Sequence, residues 1–483
     1  MKHFTLLALL LCTLFFPNGI LAQYSEEEIH LPQDYLSNTL PVMYVTTDSL
    51  KPIESKNIYL KGTYYFDPKG VEGVDSIGSV DNQLALQIRG RGNASWTLAK
   101  KPYRIKLDKK TSFFGMSKSK HFALMAHFTD WRGFLKEESG YEVSRRMKLA
   151  FTPEQHPIEL VVNGDYKGIY FITQNIRVDK DRVNITEQEE GDTIPENITG
   201  GWLIEKDNYV DSPQFDLPRS KKFHITIHSP EVMSDQQMDY IKNFVTTADS
   251  LLYVEDKMSR EWENYIDIDA LARFYIVQEV VQNTEAFSGS LFMHKERGDS
   301  TKLIFGPVWD FGSVTGHPVT KNYKKLWMFE DIPAYAENVW IEEMLKFPHF
   351  QRVIREVWTK EYNDLSNGLG NYLQEWANKN IQAGLADHNR WPDSSGHDIS
   401  YQSGKYVGII NYRLWWLNEM WNLDKLYDIN CDYTVDIADI NLVVGLISGT
   451  VEPPTRKSAD VNFDGCVDIS DMNAVLNQVL GNK

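Results

Sequence analysis

The feature that most constrains this 483-residue chain is a duplicated acidic motif near its C-terminus. One copy reads DINCDYTVDIAD from residue 428, and the other reads DVNFDGCVDISD from residue 460. Each copy places oxygen-bearing side chains at positions 1, 3, 5, 9 and 12 of a twelve-residue loop, and position 7 offers a backbone carbonyl. Ca²⁺ is a hard cation that takes six to eight oxygen ligands, and a chain wraps it with this spacing. The predicted ligands are Asp428, Asn430, Asp432, Thr434, Asp436 and Asp439 in the first loop, and Asp460, Asn462, Asp464, Cys466, Asp468 and Asp471 in the second.

Each loop runs into an apolar stretch, and we expect helices there at about 440–448 and 472–480. An acidic, solvated tail is the alternative interpretation, but it gives no reason for five ligand positions to match twice. Position 6 needs a tight turn, which Gly465 suits in the second loop, whereas Tyr433 stands there in the first. We therefore expect the first loop to be the weaker site.

Cysteine is rare in this chain, so the main fold depends on its apolar core rather than on disulfides. Beyond the N-terminal segment only Cys431 and Cys466 remain, and both fall inside the acidic loops. Two thiols and a bridge between the loops are both compatible with this placement.

The paired loops resemble a type I dockerin over residues 428–480. The resemblance implies a small, all-α docking module at 426–483 that binds two Ca²⁺ ions and whose usual partner is a cohesin. In dockerins, positions 10 and 11 of each loop help to choose the partner and are often Ser-Thr. Here these positions are Ile437-Ala438 and Ile469-Ser470, which differ from the usual pairs.

The N-terminus is typical of a secretory signal at 1–22: Lys2 supplies a positive charge, an apolar run covers 4–16, and Ala22 offers a small residue for cleavage. We therefore expect an exported protein, either secreted or held at the cell surface or in the periplasm. No other segment is apolar enough to span a membrane. The net charge of −17 argues against a nucleic-acid partner, because such binders need basic surfaces.

The remaining sequence predicts an α+β body without internal repeats. Alternating patterns predict strands over 40–47, 57–66 and 83–90, which form either a separate β-rich unit at 23–84 or the first sheet of a larger domain. Further expected elements are a strand at 103–108, a helix at 134–147, a hairpin at 158–172 turning at Asn163-Gly164, two helices within 235–286, strands flanking 291–309, and helices over 337–426. The helix at 406–422 runs almost straight into the first loop, so we expect the module to pack on the body.

Five blocks of the body occur in the order found in the CotH family. They read RGRGNASWTLAKKPYRIKL, VVNGDYKGIYFITQNIRVDKDRVNI, GGWLIEKD, VVQNTEAFSGSLFMHKE and GPVWDFGS, and they span about 85 to 420. The resemblance implies a CotH kinase-like domain at 85–425, with the fold of an atypical protein kinase that uses ATP and Mg²⁺ or Mn²⁺.

On this resemblance, Asp310 is the counterpart of the kinase Asp that holds the metal ion. Asn283 and Glu285 match an Asn-x-Asp of the family, which gives Asn283 a metal-binding role and Glu285 the role of base or second metal ligand. Arg104 or Lys106, on the predicted strand at 103–108, would reach the phosphates.

Three positions depart from the family pattern. Glu285 replaces an Asp, Gly312 replaces the second Asp of W-D-F-D, and Gln174 stands where a Glu is common. One added methylene moves a carboxylate by more than an ångström, enough to disturb a tuned site.

Three functions remain open from the sequence. The first is ATP-dependent phosphorylation of Ser or Thr in an extracytoplasmic protein acceptor. The second is a catalytically weakened scaffold or binding protein associated with surface polysaccharide-degrading machinery. The third, a glycoside hydrolase acting through paired carboxylates, fits the order of the five blocks poorly.

Overall fold

The computed structural model describes residues 29–130, 132–209, 213–220, 223–314, 339–394, 398–451 and 458–481. The predicted signal at 1–22 lies outside these residues. Among the described helices, none combines the length and apolar character that crossing a membrane requires.

The first half of the body is a closed barrel of seven strands in the order β1-β2-β3-β4-β5-β7-β6. The strands are β1 (Val42–Thr47), β2 (Leu60–Asp67), β3 (Leu84–Gly90), β4 (Tyr103–Thr111), β5 (Ser119–Met125), β6 (Gln155–Val162) and β7 (Asp165–Gln174). Apolar side chains at alternating positions, such as Leu86, Ile105 and Phe122, fill the interior.

Barrel closure joins β1 to β6 in parallel, although more than a hundred residues separate them. β2 pairs with β3 across the boundary drawn after residue 84, so the early strands are part of the larger sheet rather than a separate unit. The β6–β7 hairpin turns at Asn163 and Gly164, which have φ values of 54° and 81°. These are the left-handed conformations that a type I′ turn requires.

A second, five-stranded sheet follows, with the order β12-β11-β8-β10-β9. Its strands are β8 (Trp202–Asp207), β9 (Gln214–Asp216), β10 (His224–Ser229), β11 (Leu291–Lys295) and β12 (Ile304–Phe305). The largest core cluster of the molecule joins this sheet to the surrounding helices and to the outer side of β7.

The described helices of the body include both helices expected within 235–286. In chain order, the described helices of the body are α1 (Pro32–Tyr35), α2 (Lys136–Arg146), α3 (Asp235–Leu252), α4 (Ile268–Val281), α5 (Val339–Met344), α6 (Pro348–Ser366), α7 (Leu369–Lys379), α8 (Ile381–Arg390) and α9 (Ile399–Trp421). α9 begins seven residues before the predicted helix, and near its end Trp416 and Trp421 are packed in the core whereas Trp415 is exposed.

The C-terminal module contains α10 (Ile437–Ile447) and α11 (Ile469–Val479), which pack on each other around a small apolar core. Both helices begin three residues before the expected positions. Asp436 and Asp468 cap their N-termini, so the last turn of each acidic loop is already helical.

The module packs on the body, as expected. The ring of Phe463 lies under the Arg355 guanidinium of α6, 5.7 Å from its centroid, and the backbone at Gly465 lies against Pro348. No bond joins the sulfurs of Cys431 and Cys466, so the structure does not contain the bridge that the sequence left open.

Candidate functional site

Asp310 follows β12, and its side chain is exposed between half-buried Trp309 and buried Phe311. Its backbone is left-handed, with φ of 62°, a strained conformation for a residue with a side chain. Two contacts hold it: the Phe311 amide donates to Glu137 Oε1 at 3.0 Å, and Asn283 Nδ2 donates to the Asp310 carbonyl at 3.3 Å. The Asp310 carboxylate is therefore presented to solvent from a fixed backbone.

Helix α2 supports this segment from behind. Phe311 is fully buried against it, and a Cβ at Gly140 would lie 2.2 Å from the Phe311 ring, so only glycine allows this approach. Lys136 Nζ donates to the Gly312 carbonyl at 3.1 Å. Packing of α2 thus sets the position of the Asp-Phe-Gly triplet.

Two oxygens beside Asp310 have no hydrogen-bond partner among the described residues. They are Glu137 Oε2 and Asn283 Oδ1, and both are buried. Burial raises the pKa of Glu137 to about 8, and the nearby Asp310 and Asp130 carboxylates add to the shift. Carboxylate and amide oxygens are preferred by Mg²⁺ and Mn²⁺, so Asp310, Asn283 and Glu137 fit a divalent cation.

Glu285 is brought to the same cleft by the turn after α4. Thr284 Oγ1 donates to the Ser313 carbonyl at 3.4 Å, and Lys206 donates to the Ser288 carbonyl. Burial, together with the carboxylates of Asp207, Asp310 and Glu285, raises the pKa of Tyr209. The Tyr209 phenol therefore lies near both predicted catalytic carboxylates.

Ser290 is the residue that the spacing of the kinase catalytic loop would pair with Glu285. In that loop, an Asn that binds the second metal ion stands five residues after the catalytic Asp. If Glu285 takes the place of that Asp, five residues lead to Ser290, just before β11, which carries a hydroxyl rather than an amide. The sequence analysis did not single out this position.

The two predicted phosphate-binding residues have different surroundings. Arg104 is half-buried, its Nε has no partner among the described residues, and its charge acts on Arg91. Arg91 also interacts with Asp310, and its guanidinium lies 5.4 Å from the centroid of the Trp309 ring. Lys106 is exposed one step farther along β4 and pairs in register with His121. Arg91, which the sequence analysis missed, is thus a cation next to Asp310 on the barrel side, with Arg104 behind it, and Lys136 is a second cation that interacts with Asp310.

The sequence analysis also did not identify Glu205 as a site residue, although Glu205 lies in the block GGWLIEKD. It is buried on β8, and its Oε2 is 2.6 Å from His228 Nε2. Burial raises the pKa of Glu205, and Asp310 contributes to that shift. Sequence pattern gives little signal for Glu137 or Glu205, because an acidic residue on a helix or strand is normally solvated.

Gln174 does not join this group. It ends β7, where its Oε1 accepts from the Glu154 amide at 3.1 Å and its Nε2 donates to Ser117 Oγ at 3.0 Å. The amide therefore satisfies backbone and hydroxyl groups at the barrel rim. Of the three departures in the sequence, those at Glu285 and Gly312 lie at the cleft.

The acidic loops of the module share one hydrogen-bond pattern. The first carboxylate accepts from the amides of positions 5 and 6: Asp428 from Asp432 and Tyr433, and Asp460 from Asp464 and Gly465. Position 6 is left-handed in both loops, with φ of 76° at Tyr433 and 89° at Gly465. The expected strain on Tyr433 is thus present.

The second loop already gathers ligand atoms. Oxygens of Asp460, Asp464 and Asp471 lie within 4.8 Å of one another. Asp471 also accepts from the amides of Val461 and Asp468, at 2.8 Å and 3.0 Å, which fixes its orientation. This arrangement suits a Ca²⁺ ion with carboxylate ligands.

Comparison with known families agrees with this geometry. A family model described as CotH kinase protein matches residues 88–417, and one described as Dockerin type I domain matches residues 426–480. No curated protein matches the chain. Because the first match covers well over half of the sequence, the chain belongs to the CotH kinase family and carries a dockerin type I domain at its C-terminal end.

Proposed function

We propose that this protein is an exported phosphotransferase that moves the γ-phosphoryl group of ATP to a Ser or Thr hydroxyl of an extracytoplasmic protein. The observation that carries the proposal is the group of Asp310, Asn283 and Glu137, in which two buried oxygens have no partner in the described part of the chain and lie beside an exposed carboxylate. Burying such groups is costly unless a partner completes them. In a kinase-like fold, a divalent cation bound with its nucleotide would be that partner.

Each of these residues of the cleft would have a separate role in phosphoryl transfer. Asp310 and Asn283 would hold the metal ion, which neutralises charge on the transferred phosphoryl group when bound. Arg91 and Arg104 neutralise phosphate charge from the barrel side. Glu137 fixes Asp310 through the Phe311 amide.

Glu285 would accept the proton of the acceptor hydroxyl. It follows a turn that is hydrogen-bonded to the Asp310 segment, which ties the backbone before Glu285 to the proposed metal-binding residue. Glutamate is longer than the aspartate usual at this position, and a shifted base lowers the rate more than it lowers nucleotide binding. We therefore expect transfer that is slow but real.

The second candidate function is a scaffold that binds nucleotide without transferring phosphate. It is favoured by Ser290, which cannot supply the amide oxygen of a second metal site, and by the replacement at Glu285. On this alternative the protein would act through its dockerin domain, which would join it to surface assemblies such as polysaccharide-degrading machinery.

Dockerin domains bind cohesins and occur in extracellular proteins, and type I domains generally bind Ca²⁺. We extend these properties to this chain: Ca²⁺ in both loops orders the module, and a cohesin-like partner localises the body outside the cytoplasm. The packing of Phe463 and Gly465 on α6 means that the body and module are presented to the partner as one unit.

The test is transfer from γ-labelled ATP to a general protein acceptor, with Mg²⁺ or Mn²⁺ and saturating Ca²⁺. Wild-type protein should label the acceptor, and Asp310→Asn should reduce labelling at least a hundredfold, in line with loss of a metal-bound charge-stabilising group. Asp299→Asn is the matched control, because Asp299 is an exposed carboxylate in the turn between β11 and β12. Equal labelling by Asp310→Asn and wild type would refute the proposal. Labelling by neither, with ATP binding retained, would support the scaffold.

A further inference from the structure

The outer surface of the barrel carries a concentration of positive charge that the proposed chemistry does not use in full. Register places Lys61, Gln87, Lys106 and His121 side by side on β2, β3, β4 and β5. Directly paired residues share a face of the sheet, and the positions between them point into the barrel core. These four side chains therefore form one row across the outside.

Further cations border this row. Arg104 lies one step along β4, and Arg177 and Lys120 lie beside His121 around a pocket of about 180 Å³. We call Lys61, Arg104, Lys106, Lys120 and Arg177, together with the uncharged His121 between them, the outer basic face.

The charge of this face is only partly neutralised. Asp48 and Asp108 line the same surface as Lys61 and Lys106, and Asp179 lines the pocket with Arg177. Burial, together with the nearby charges of Arg177, Arg104 and Lys106, lowers the pKa of His121 to about 4, so its imidazole is neutral at pH 7. Arg104 Nε and His121 Nδ1 are both buried without a partner among the described residues. The exposed side chains of Lys61, Lys106 and Lys120 therefore leave this face with a positive charge that attracts anionic groups.

The face is continuous with the cleft but wider than a nucleotide needs. Arg104 interacts with Arg91, and Arg91 with Asp310, so the row leads away from the metal-binding group. Four strands at about 4.8 Å spacing make the row about 14 Å wide, the length of roughly four extended residues. The chain as a whole is acidic, with a net charge of −17, so a face rich in lysine and arginine stands out as a place that attracts an acidic partner.

We propose that the outer basic face docks an acidic segment of the protein acceptor and so selects Ser or Thr residues flanked by Glu or Asp. This inference rests on the proposed function for its protein acceptor, but the docking itself does not require transfer. Exposed lysines at the rim give electrostatic selection and faster association, whereas half-buried Arg104 and His121 give a defined contact.

The experiment measures binding of three labelled peptides by fluorescence anisotropy to the full-length, Ca²⁺-loaded protein. Each peptide contains one Ser, flanked by Glu, by Gln or by Lys. We expect the Glu peptide to bind best, and its affinity to fall about tenfold in the double variant Lys61→Glu/Lys120→Glu. Lys379→Glu/Lys405→Glu, at exposed positions on α7 and α9, makes the same charge change elsewhere and should bind the Glu peptide better than the first variant does.

Each result decides a separate point. Equal binding of the Glu peptide by wild type and Lys61→Glu/Lys120→Glu would overturn the inference, as would complete displacement of that peptide by ATP with Mg²⁺. Binding of alginate, an acidic polysaccharide, without binding of the Glu peptide would overturn it in favour of a glycan. If the Glu peptide binds as expected but no phosphate is transferred, the docking inference stands and the proposed function fails.

Discussion

A buried ion pair connects the helical part of the body to the candidate site. Arg413 of α9 and Glu279 of α4 are both fully buried, and their charged atoms are 2.8 Å apart. The Arg413 guanidinium also donates to the Glu279 and Val280 carbonyls near the end of α4, at 2.7 Å and 3.2 Å. Asn283 follows that helix end directly, so the pair fixes the point from which the site residues emerge.

We predict that Arg413→Met lowers the free energy of unfolding by about 4 kcal/mol. Removing one partner leaves the Glu279 carboxylate buried without its cation, and breaking such pairs costs about 3–5 kcal/mol. The Tyr275 hydroxyl, 3.0 Å from Glu279 Oε2, compensates for only part of this loss. By size scaling for a body of this length, the melting temperature should fall by roughly 5 °C.

A second variant removes the Glu279 charge that Arg413→Met leaves buried. Arg413→Met/Glu279→Gln should recover about half of the lost stability, since a neutral amide is cheaper to bury than a carboxylate. Arg352→Met is the matched control, because Arg352 pairs with Glu356 at 2.8 Å on the exposed side of α6. Thermal and urea unfolding measure all three variants. If Arg413→Met costs no more than Arg352→Met, the argument for the buried pair is wrong.

Three further predictions concern pH, packing and calcium. Burial lowers the pKa of His127 to about 4, so between pH 6.5 and pH 4 His127 is protonated in the unfolded chain but not in the folded protein. The free energy of unfolding should therefore be highest above pH 6.5 and fall by up to about 3 kcal/mol towards pH 4. His127→Asn should make this pH dependence shallower in urea titrations. An unchanged pH dependence would contradict the role given to His127. Gly140→Ala should lower stability by about 1–3 kcal/mol and also reduce phosphate transfer, because the added Cβ displaces Phe311. Gly408→Ala, at a helix position with open space, should instead be neutral or stabilising, and equal effects of both substitutions in thermal unfolding would refute the packing argument. Tyr433→Gly should relieve a left-handed backbone and strengthen Ca²⁺ binding in the first loop about fivefold by calorimetry, whereas unchanged affinity would contradict the strain.

Local patterns predicted the features whose causes are local. The acidic loops and the Asn163-Gly164 hairpin depend on spacing and turn chemistry within a few residues, and both occur where expected. The helix starts in the module were placed too late because Asp436 and Asp468 serve both as loop residues and as N-caps. An acidic residue before an apolar run is compatible with either role.

Features that depend on distant contacts could not be predicted from one sequence. The parallel β1–β6 pair closes the barrel across more than a hundred residues, and alternation along β1 says nothing about its partner. Glu137 becomes part of the site only because α2 packs on Phe311. Gln174 is the opposite case. The family pattern selects this position as a site residue, but its side chain is hydrogen-bonded to the Glu154 amide at the barrel rim. Tertiary packing, rather than residue type, decides which polar groups meet.

The most direct measurement is calorimetric titration of the Ca²⁺-saturated protein with ATP, in the presence and absence of Mg²⁺. The central claim is that Asp310 and its neighbours form a metal-dependent nucleotide site. We predict binding that requires Mg²⁺, that Asp310→Asn abolishes, and that Asp299→Asn leaves unchanged. Binding that is equally strong without Mg²⁺ or in Asp310→Asn, or no binding by the folded wild type, would contradict the account.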